Sequence, residues 1–302
     1  MSAPMKPFRF ALQALPRGTR AEWQDVARRA EALGYATLQT ADHLGIADPF
    51  TPLVSAAEAT STLRVGPLVI NNALHHPVLL ARQAATVDLL TEGRLELGLG
   101  VGWAQAEHDA SGIPLPPPAE RVSRFEEALA ILLPLLEGQP ARSSGTYSVA
   151  VDDLGVRCVQ QPRPPILIGG FRKRMLAIAA RHADIAQLTG LALDGAGGIR
   201  FGDPSRAGVV TQARSVRETA RARDVELSVL VQHVAIDSPT AVATAAERTG
   251  LPEHAIADSP FFGYGSVESL CERLEGLREE AGISNFTVRE MDAFAPVVAR
   301  LG

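Results

Sequence analysis

The sequence predicts an α/β protein folded as a single (β/α)8 (TIM) barrel that spans residues 1–302. Short strand-type runs alternate along the chain with segments of helical periodicity, and eight such runs can be counted. No tandem repeat and no linker divides the chain, and 46% of its residues are apolar, which is ample for one large core. Barrels of this kind run to about 250 residues or more as one domain. An open doubly wound sheet is the alternative that the same alternation allows.

The predicted strands are short apolar runs bounded by turn residues, which is typical of strands buried on both faces. Parallel strands separated by helices read in this way because helices cover both sides of the sheet. The eight strands are predicted over residues 8–12, 35–39, 64–70, 94–99, 165–168, 184–188, 226–236 and 283–288.

The predicted helices lie between these strands and show apolar residues at helical spacing. In the first of them, apolar residues at helical spacing form a stripe, namely Trp23, Val26, Ala27, Ala30 and Leu33. Gly34 follows at the position that a helix C-terminus prefers. Further helices are predicted over residues 51–59, 77–90, 122–136, 171–182, 205–223, 267–277 and 292–301. Pro134 lies inside its helix, which indicates a kink or an early end. Residues 139–163 are predicted as a loop with short β pieces, and the Gly-rich residues 189–204 as a mobile loop.

Composition excludes several classes of function. The net charge is −5 and no basic face is visible, so no nucleic-acid partner is expected. The two cysteines indicate a reducing compartment. No signal peptide and no apolar run of about 20 residues is present, so we expect a cytoplasmic protein that does not enter a membrane. Metal-ligand spacings and the usual serine-hydrolase and P-loop motifs are absent, so no metal is expected.

A glycine-rich stretch, residues 98–103 (GLGVGW), ends the fourth predicted strand. It does not fit the dinucleotide pattern G-x-G-x-x-G, because the last position is Trp103 or Gln105 depending on the register. Bare backbone here would let a flat ligand approach the strand end. Alternatively, the glycines relieve crowding where the strand meets its loop.

A second glycine pair, Gly169-Gly170, follows the fifth strand and precedes a helix that contains Arg172, Lys173 and Arg174. Backbone N–H groups at a helix start, with cations nearby, favour an anion. The pattern therefore predicts a phosphate site, and an ordinary strand-to-helix turn is the alternative.

Polar residues follow the second and third strands, at the end of a barrel where catalytic residues lie. After the second strand come Asp42 and His43, and an imidazole there can exchange a proton near neutral pH. The third strand ends at Asn71-Asn72, whose carboxamides can bind the polar edge of a heterocycle or form a turn. His75-His76 is predicted to mark a helix start rather than a metal site.

Taken together, four stretches resemble the luciferase-like monooxygenase superfamily, in the same order and over most of the chain. They are residues 32–35 (ALGY) with 41–44 (ADHL), residues 76–81 (HPVLLA) with 93–98 (GRLELG) and 102–103 (GW), residues 165–170 (PILIGG), and residues 183–184 (AD). The tail, residues 282–284 (GIS) and 293–298 (AFAPVV), is similar to a subgroup of coenzyme F420-dependent oxidoreductases.

The resemblance implies a barrel that binds a flavin-type cofactor at the carboxyl ends of its strands. It implies a bulge with a non-prolyl cis peptide near Leu68-Val69, with Val69 behind the ring and Asn71 at its polar edge. Gly102 and Trp103 would also lie against the cofactor. The phosphate would be bound by Gly169, Gly170, Phe171 and Arg172. His43 matches an active-site histidine of deazaflavin enzymes in the family, and Asp42 would orient it. A homodimer is a further expectation from the family.

Three functions follow from this reading. The first is a coenzyme F420-dependent oxidoreductase that transfers a hydride between the deazaflavin and a small organic substrate, with His43 exchanging the proton. The second is an FMN-dependent monooxygenase that receives reduced flavin from a separate reductase. The third is a non-catalytic barrel that binds a ligand. The family's deazaflavin enzymes often carry Asn where this chain has Ala106, and their sugar-phosphate ligands have no clear counterparts here, which argues against a sugar-phosphate substrate.

Overall fold

The computed structural model of the protein describes residues 5–170, 172–193 and 199–302. Its strands are β1 (Arg9–Gln13), β2 (Thr37–Thr40), β3 (Arg64–Pro67), β4 (Ile70–Asn71), β5 (Leu97–Gly100), β6 (Ala141–Ser144), β7 (Ser148–Val151), β8 (Ile166–Gly170), β9 (Ile185–Leu188), β10 (Leu191–Leu193), β11 (Ile199–Phe201), β12 (Glu226–Leu230), β13 (His233–Ile236), β14 (Phe262–Gly265) and β15 (Ile283–Val288). Its helices are α1 (Arg20–Ala32), α2 (Thr51–Glu58), α3 (Pro77–Leu90), α4 (Gln105–Ser111), α5 (Pro118–Leu136), α6 (Lys173–His182), α7 (Arg206–Ala220), α8 (Ala241–Thr249), α9 (Glu253–Ala257), α10 (Val267–Ala281) and α11 (Met291–Leu301), with a short 3₁₀ turn at Asn72–Leu74.

The main sheet has nine strands in the order β3-β2-β1-β15-β12-β9-β8-β5-β4. β3 and β4 are the two parts of one predicted strand, so the sheet contains the eight strands that the sequence predicts. A parallel bridge between Val65 of β3 and Leu95, just before β5, joins the first strand of this order to the other end. This is the strand order of a (β/α)8 barrel, in which each strand is followed by a helix before the next strand.

The chain divides into two compact units whose segments alternate along the sequence. The first unit comprises Met1–Gln13, Arg29–Thr37 and Gly169–Gly302. Its strands β1, β15, β12 and β9 pair in parallel. Its core includes Phe10, whose ring centroid lies 6.4 Å from that of Phe286 and 5.6 Å from that of Phe294. Aromatic packing of this kind contributes apolar burial that fixes helix α11 against the strands.

The second unit comprises Ala14–Arg28 and Leu38–Ile168. Its core is built from small and branched aliphatic residues, and Leu80, Ala84, Phe125 and Leu129 of helices α3 and α5 are fully buried. Pro77 begins α3, where its missing N–H is not needed. β5 pairs in parallel with β4 on one side and with β8 on the other. This unit contains the loops after β2, β4 and β5.

The structure corrects some predicted elements. The seventh strand, predicted over residues 226–236, ends at Leu230, and β13 pairs instead with β14 in a separate two-stranded parallel sheet. In the predicted loop 189–204, β10 and β11 pair antiparallel, and residues 194–198 lie outside the described residues. Helices α4, α8 and α9 were not predicted. Helix α5 continues to Leu136, two residues beyond Pro134.

Two broader expectations concern domain organisation and membrane-spanning helices. That the whole chain forms one domain stays a prediction. In the described part of the chain, every helix is too short or too polar to cross a membrane.

Candidate active site

A pair of ionisable side chains in the second unit is the centre of the candidate site. His43 lies in the loop after β2, and Glu107 lies in the first turn of α4, which follows the loop after β5. The Nδ1 atom of His43 is 2.6 Å from Oε1 of Glu107. The His43 side chain is 40% exposed and that of Glu107 is 16% exposed, so the imidazole is accessible while its carboxylate partner is largely buried.

This contact sets the hydrogen-bonding pattern of His43. Because the carboxylate of Glu107 can only accept, Nδ1 of His43 must carry a proton and donate it. In the neutral imidazole the other nitrogen, Nε2, is then an acceptor. The ring of Trp103 lies edge-on beside the imidazole, with 5.9 Å between ring centroids. The second carboxylate oxygen, Oε2 of Glu107, is buried and has no hydrogen-bond partner among the described residues.

Asp42 has a different role from the predicted one. Its Oδ2 atom accepts a hydrogen bond from the backbone N–H of Asn71 at 2.8 Å and lies 2.9 Å from Nε2 of His75. Asp42 therefore ties the end of β2 to the turn after β4. The residue that orients His43 is Glu107, so the expectation that Asp42 orients His43 is corrected.

Asn71 is held in one orientation by its neighbours. Its Oδ1 atom accepts from the backbone N–H of Ala73 at 3.1 Å, and its Nδ2 atom is 3.3 Å from Nε2 of His108. His108 is 1% exposed, and its Nδ1 atom lies 2.9 Å from the carbonyl oxygen of Ile113. A carbonyl only accepts, so Nδ1 of His108 is the protonated nitrogen and Nε2 accepts from Asn71. The geometry thus specifies a neutral His108 in the Nδ1–H form.

Gly102 lies between Asn71 and a buried arginine. Its φ of 79° belongs to the left-handed region, and a Cβ there would overlap Oδ1 of Asn71 and lie 3.1 Å from its Nδ2. The carbonyl of Gly102 accepts from Nη1 of Arg121 at 2.7 Å. Arg121 is only 6% exposed, and desolvation lowers the pKa of its guanidinium. A glycine is therefore required at this position by both conformation and space.

The bulge between β3 and β4 contains a cis peptide bond at Leu68-Val69, as the resemblance implies. Leu68 donates its backbone N–H to the carbonyl of Thr40 at 2.6 Å. A Cβ on Gly100 would lie 2.6 Å from Cγ2 of Val69, and one on Gly98 would lie 3.2 Å from Cγ1. The glycines of β5 thus make room for Val69, which is the crowding-relief explanation of this stretch. Contact of Val69 with a cofactor stays a prediction.

The second glycine pair lies in the first unit, at the end of β8. A Cβ on Gly170 would lie 2.6 Å from Cβ of Met175, so Gly170 allows α6 to pack closely on the strand end. A Cβ on Gly169 would come no nearer than 3.6 Å to another atom, which is Oε1 of Gln187. Gln187 is 7% exposed, and its Nε2 atom has no partner among the described residues. The carboxamide of Gln187 therefore lies beside Gly169 and has an unused donor.

Arg172 and Phe171 are the other two predicted phosphate ligands. Arg172 is exposed and precedes the first turn of α6, and that turn contains no acidic residue. This favours an anion near the helix start. Phe171 lies outside the described residues. Phosphate binding here stays a prediction.

Sequence reasoning missed Glu107, His108 and Arg121. The stretch QAEHDAS of α4 lacks apolar periodicity, so no helix was predicted there. One signal was available: an acid and a histidine follow a strand-end Gly-Trp by four and five residues. That spacing places them on the first turn of a helix near the strand's carboxyl end. Among the described residues, no group of three or more His, Cys, Asp or Glu side chains is arranged to hold a metal ion.

The chain matches the model of a known protein family. The family model for luciferase-like monooxygenases matches residues 5–248. The chain belongs to the luciferase-like monooxygenase family. The predicted resemblance is therefore confirmed.

Relatives of this luciferase-like chain include enzymes with known names. A 5,10-methylenetetrahydromethanopterin reductase of Methanopyrus kandleri is 28% identical over 187 residues, which cover 58% of this chain and 53% of the reductase. An F420-dependent glucose-6-phosphate dehydrogenase of Beutenbergia cavernae is 35% identical over 132 residues, which cover 41% of this chain and 39% of that enzyme. The chain thus spans about half or less of the curated relatives that it matches.

Solved structures similar to this luciferase-like chain show its fold. The coenzyme F420-dependent tetrahydromethanopterin reductase from Methanopyrus kandleri superposes with a TM-score of 0.77 and 18% identity, covering 98% of this chain and 100% of the reductase. The long-chain alkane monooxygenase LadA superposes with a TM-score of 0.76 and 16% identity, covering 98% and 91%. The predicted (β/α)8 fold class is confirmed.

Proposed function

We propose that this protein is a coenzyme F420-dependent oxidoreductase that transfers a hydride between the deazaflavin and a small organic substrate. The observation that carries the proposal is the His43–Glu107 pair, which places an accessible imidazole on a buried carboxylate in the loops after β2 and β5. The choice of cofactor is supported by similarity to a dehydrogenase and a reductase whose names describe them as F420-dependent.

His43 would exchange the proton that accompanies the hydride. With Nδ1 donating to Glu107, Nε2 of the neutral imidazole accepts a proton from a substrate hydroxyl during oxidation. In the reverse direction the imidazolium donates that proton, and the carboxylate of Glu107 stabilises its positive charge. This is the division of labour between a base and the group that orients it in hydrolase triads. Trp103 limits the positions that the imidazole can take.

Each unit contains a buried polar atom that has no partner among the described residues and that a cofactor would satisfy. In the second unit, Oε2 of Glu107 is a buried acceptor without a partner, which a polar ligand atom would satisfy. In the first unit, the carboxamide of Gln187 lies beside Gly169, and its Nε2 donor has no partner among the described residues. In the second unit, Val69, Asn71, Gly102 and Trp103 would hold the ring. When bound, the deazaflavin supplies or accepts the hydride.

The test begins with cofactor binding to the purified protein. F420 and FMN are titrated in parallel, and fluorescence reports the affinity of each. Micromolar or tighter binding of F420 with weak binding of FMN supports the proposal. The opposite preference would assign the FMN-dependent monooxygenase, whose reduced cofactor consumes oxygen rapidly. Binding of neither cofactor would assign the non-catalytic barrel.

Variants then test the proton transfer. We expect His43→Ala to bind F420 like the wild type and to lose turnover by about 10²- to 10⁴-fold, the usual contribution of a general acid–base. Glu107→Gln keeps an acceptor oxygen but removes the charge, so turnover should fall by about tenfold. The control is His254→Ala, at an exposed histidine of α9. Equal turnover in His43→Ala and His254→Ala would remove His43 from the mechanism.

A further inference from the structure

Three polar side chains lie at the carboxyl ends of neighbouring strands in the first unit. Gln13 is the last residue of β1, Arg289 directly follows β15, and Gln232 comes two residues after β12. The three strands are parallel and adjacent in the order β1-β15-β12. The carboxyl ends of barrel strands are where substrates bind in enzymes of this fold.

The two glutamines fix the guanidinium of Arg289 in one orientation. Nε of Arg289 donates to Oε1 of Gln13 at 2.7 Å, and Nη1 donates to Oε1 of Gln232 at 3.0 Å. The backbone of Gln232 is anchored in turn, because its N–H donates to the carbonyl of Phe261 at 2.8 Å. Both acceptors are neutral, so they position the guanidinium without compensating its charge.

No carboxylate of the described residues forms an ion pair with Arg289. Another exposed arginine of the same unit, Arg300, pairs with Glu268 at 3.0 Å. The acid next to Arg289 in the chain is Glu290, and its Oε1 atom lies 4.0 Å from Nε2 of His233 rather than on the guanidinium. Glu290 therefore acts on the guanidinium through space and not through an ion pair. Arg289 is exposed, and its Nη2 group has no hydrogen-bond partner among the described residues, so it is available to a ligand.

We propose that Arg289, positioned by Gln13 and Gln232, binds an anionic group of the substrate, either a carboxylate or a phosphate. The planar guanidinium donates in parallel to two oxygens of such a group, which gives both affinity and orientation. The assignment of this anion to the substrate rests on the proposed oxidoreductase function. The substrate is then a small organic anion rather than a neutral alcohol or hydrocarbon.

The experiment measures binding of simple anions to the purified protein without cofactor. Inorganic phosphate, acetate and the neutral isostere acetamide are titrated separately at constant ionic strength, and the ¹⁵N–¹H resonance of the Arg289 Nε–H group reports occupancy. A response to phosphate alone or to acetate alone identifies the class of anion, and acetamide should give none. Arg289→Gln should weaken binding of the preferred anion by tenfold or more, measured by calorimetry or by protection against thermal unfolding.

Two further variants keep the result interpretable if Arg289→Gln folds poorly. Gln232→Glu has nearly the same shape but places a carboxylate on the guanidinium, so it should abolish anion binding while preserving the fold. Arg300→Gln is the matched control, since it also removes an exposed arginine of the first unit, and it should bind the anion within twofold of the wild type. Anion affinities that are equal in Gln232→Glu, Arg289→Gln and Arg300→Gln would overturn the proposal.

Parallel F420 titrations separate this proposal from the proposed function. Arg289→Gln should bind F420 within twofold of the wild type. A large loss of F420 affinity in this variant would assign the anion to the cofactor's own phosphate and overturn the substrate assignment. If the wild type binds no F420 but still binds the anion through Arg289, the anion site stands and the deazaflavin function falls.

Discussion

Replacing Gly102 by alanine would place a methyl group on the carboxamide of Asn71. The backbone has φ of 79° at this position, and a Cβ would overlap Oδ1 of Asn71. An alanine in the left-handed region costs about 1–2 kcal/mol. Displacing the carboxamide breaks its hydrogen bonds to Ala73 and His108, and each is worth about 1 kcal/mol. We therefore expect Gly102→Ala to lower the free energy of unfolding by about 3–4 kcal/mol.

A matched glycine separates the two contributions. Gly112, at the end of α4, has φ of 69° and nothing within 4 Å of an added Cβ. Gly112→Ala should therefore lower the free energy of unfolding by only the conformational cost of about 1–2 kcal/mol. Urea unfolding followed by circular dichroism measures both variants. In an Asn71→Ala background, where the carboxamide is gone, Gly102→Ala should cost no more than Gly112→Ala. Equal losses for the two single variants would refute the steric argument.

Two further predictions concern buried groups of the second unit. His108→Leu removes a hydrogen-bond partner from both Asn71 and the Ile113 carbonyl, so the free energy of unfolding should fall by about 1–3 kcal/mol. A loss below about 0.5 kcal/mol, the smallest effect expected of one hydrogen bond, would contradict the assigned hydrogen bonds. Burial, with a smaller effect of Asp88, raises the pKa of the Cys158 thiol from 9.0 to about 12, so the thiol ionises first in the unfolded chain. The free energy of unfolding should then decline from about pH 9 to pH 12, and it should decline less in Cys158→Ala. Iodoacetamide at pH 8 should label Cys158 far more slowly in the native protein than in the urea-unfolded protein. Rapid labelling of the native protein would contradict the raised pKa.

Local periodicity is the reason that most of the barrel could be predicted from the sequence. A buried parallel strand must be apolar over its whole length, and a covering helix must be apolar on one stripe, so each is visible within a window of about ten residues. Strands such as β8 and β15 and helices such as α3 satisfy these conditions, and the predicted bounds lie within three residues of the observed ones. The prediction was wrong for residues 231–236, because β13 is as apolar as a barrel strand but pairs with β14 outside the main sheet.

The partnerships within the site could not be predicted in this way. His43 and Glu107 are 64 positions apart, and Asn71 and His108 are 37 apart. Such contacts depend on how the loops after different strands meet, and no periodic pattern records that. Asp42 illustrates the error that results, since adjacency to His43 in sequence suggested an orienting role that the structure gives to Glu107. Strand-end position predicted His43 and Asn71, because it requires only the strand boundaries.

The pairing of His43 with Glu107 joins two loops that belong to different β/α repeats. Exchange of single loops between related barrels is a common way to alter substrate preference, and it treats each repeat as an independent module. Here the loop after β2 and the segment Gly102–Ser111 behave as one module, because the first contains the imidazole and the second contains its carboxylate and the glycine that seats Asn71. A chimera that receives only one of them would lose the His43–Glu107 contact even though every transplanted residue is correct. Grafting the two together should preserve it.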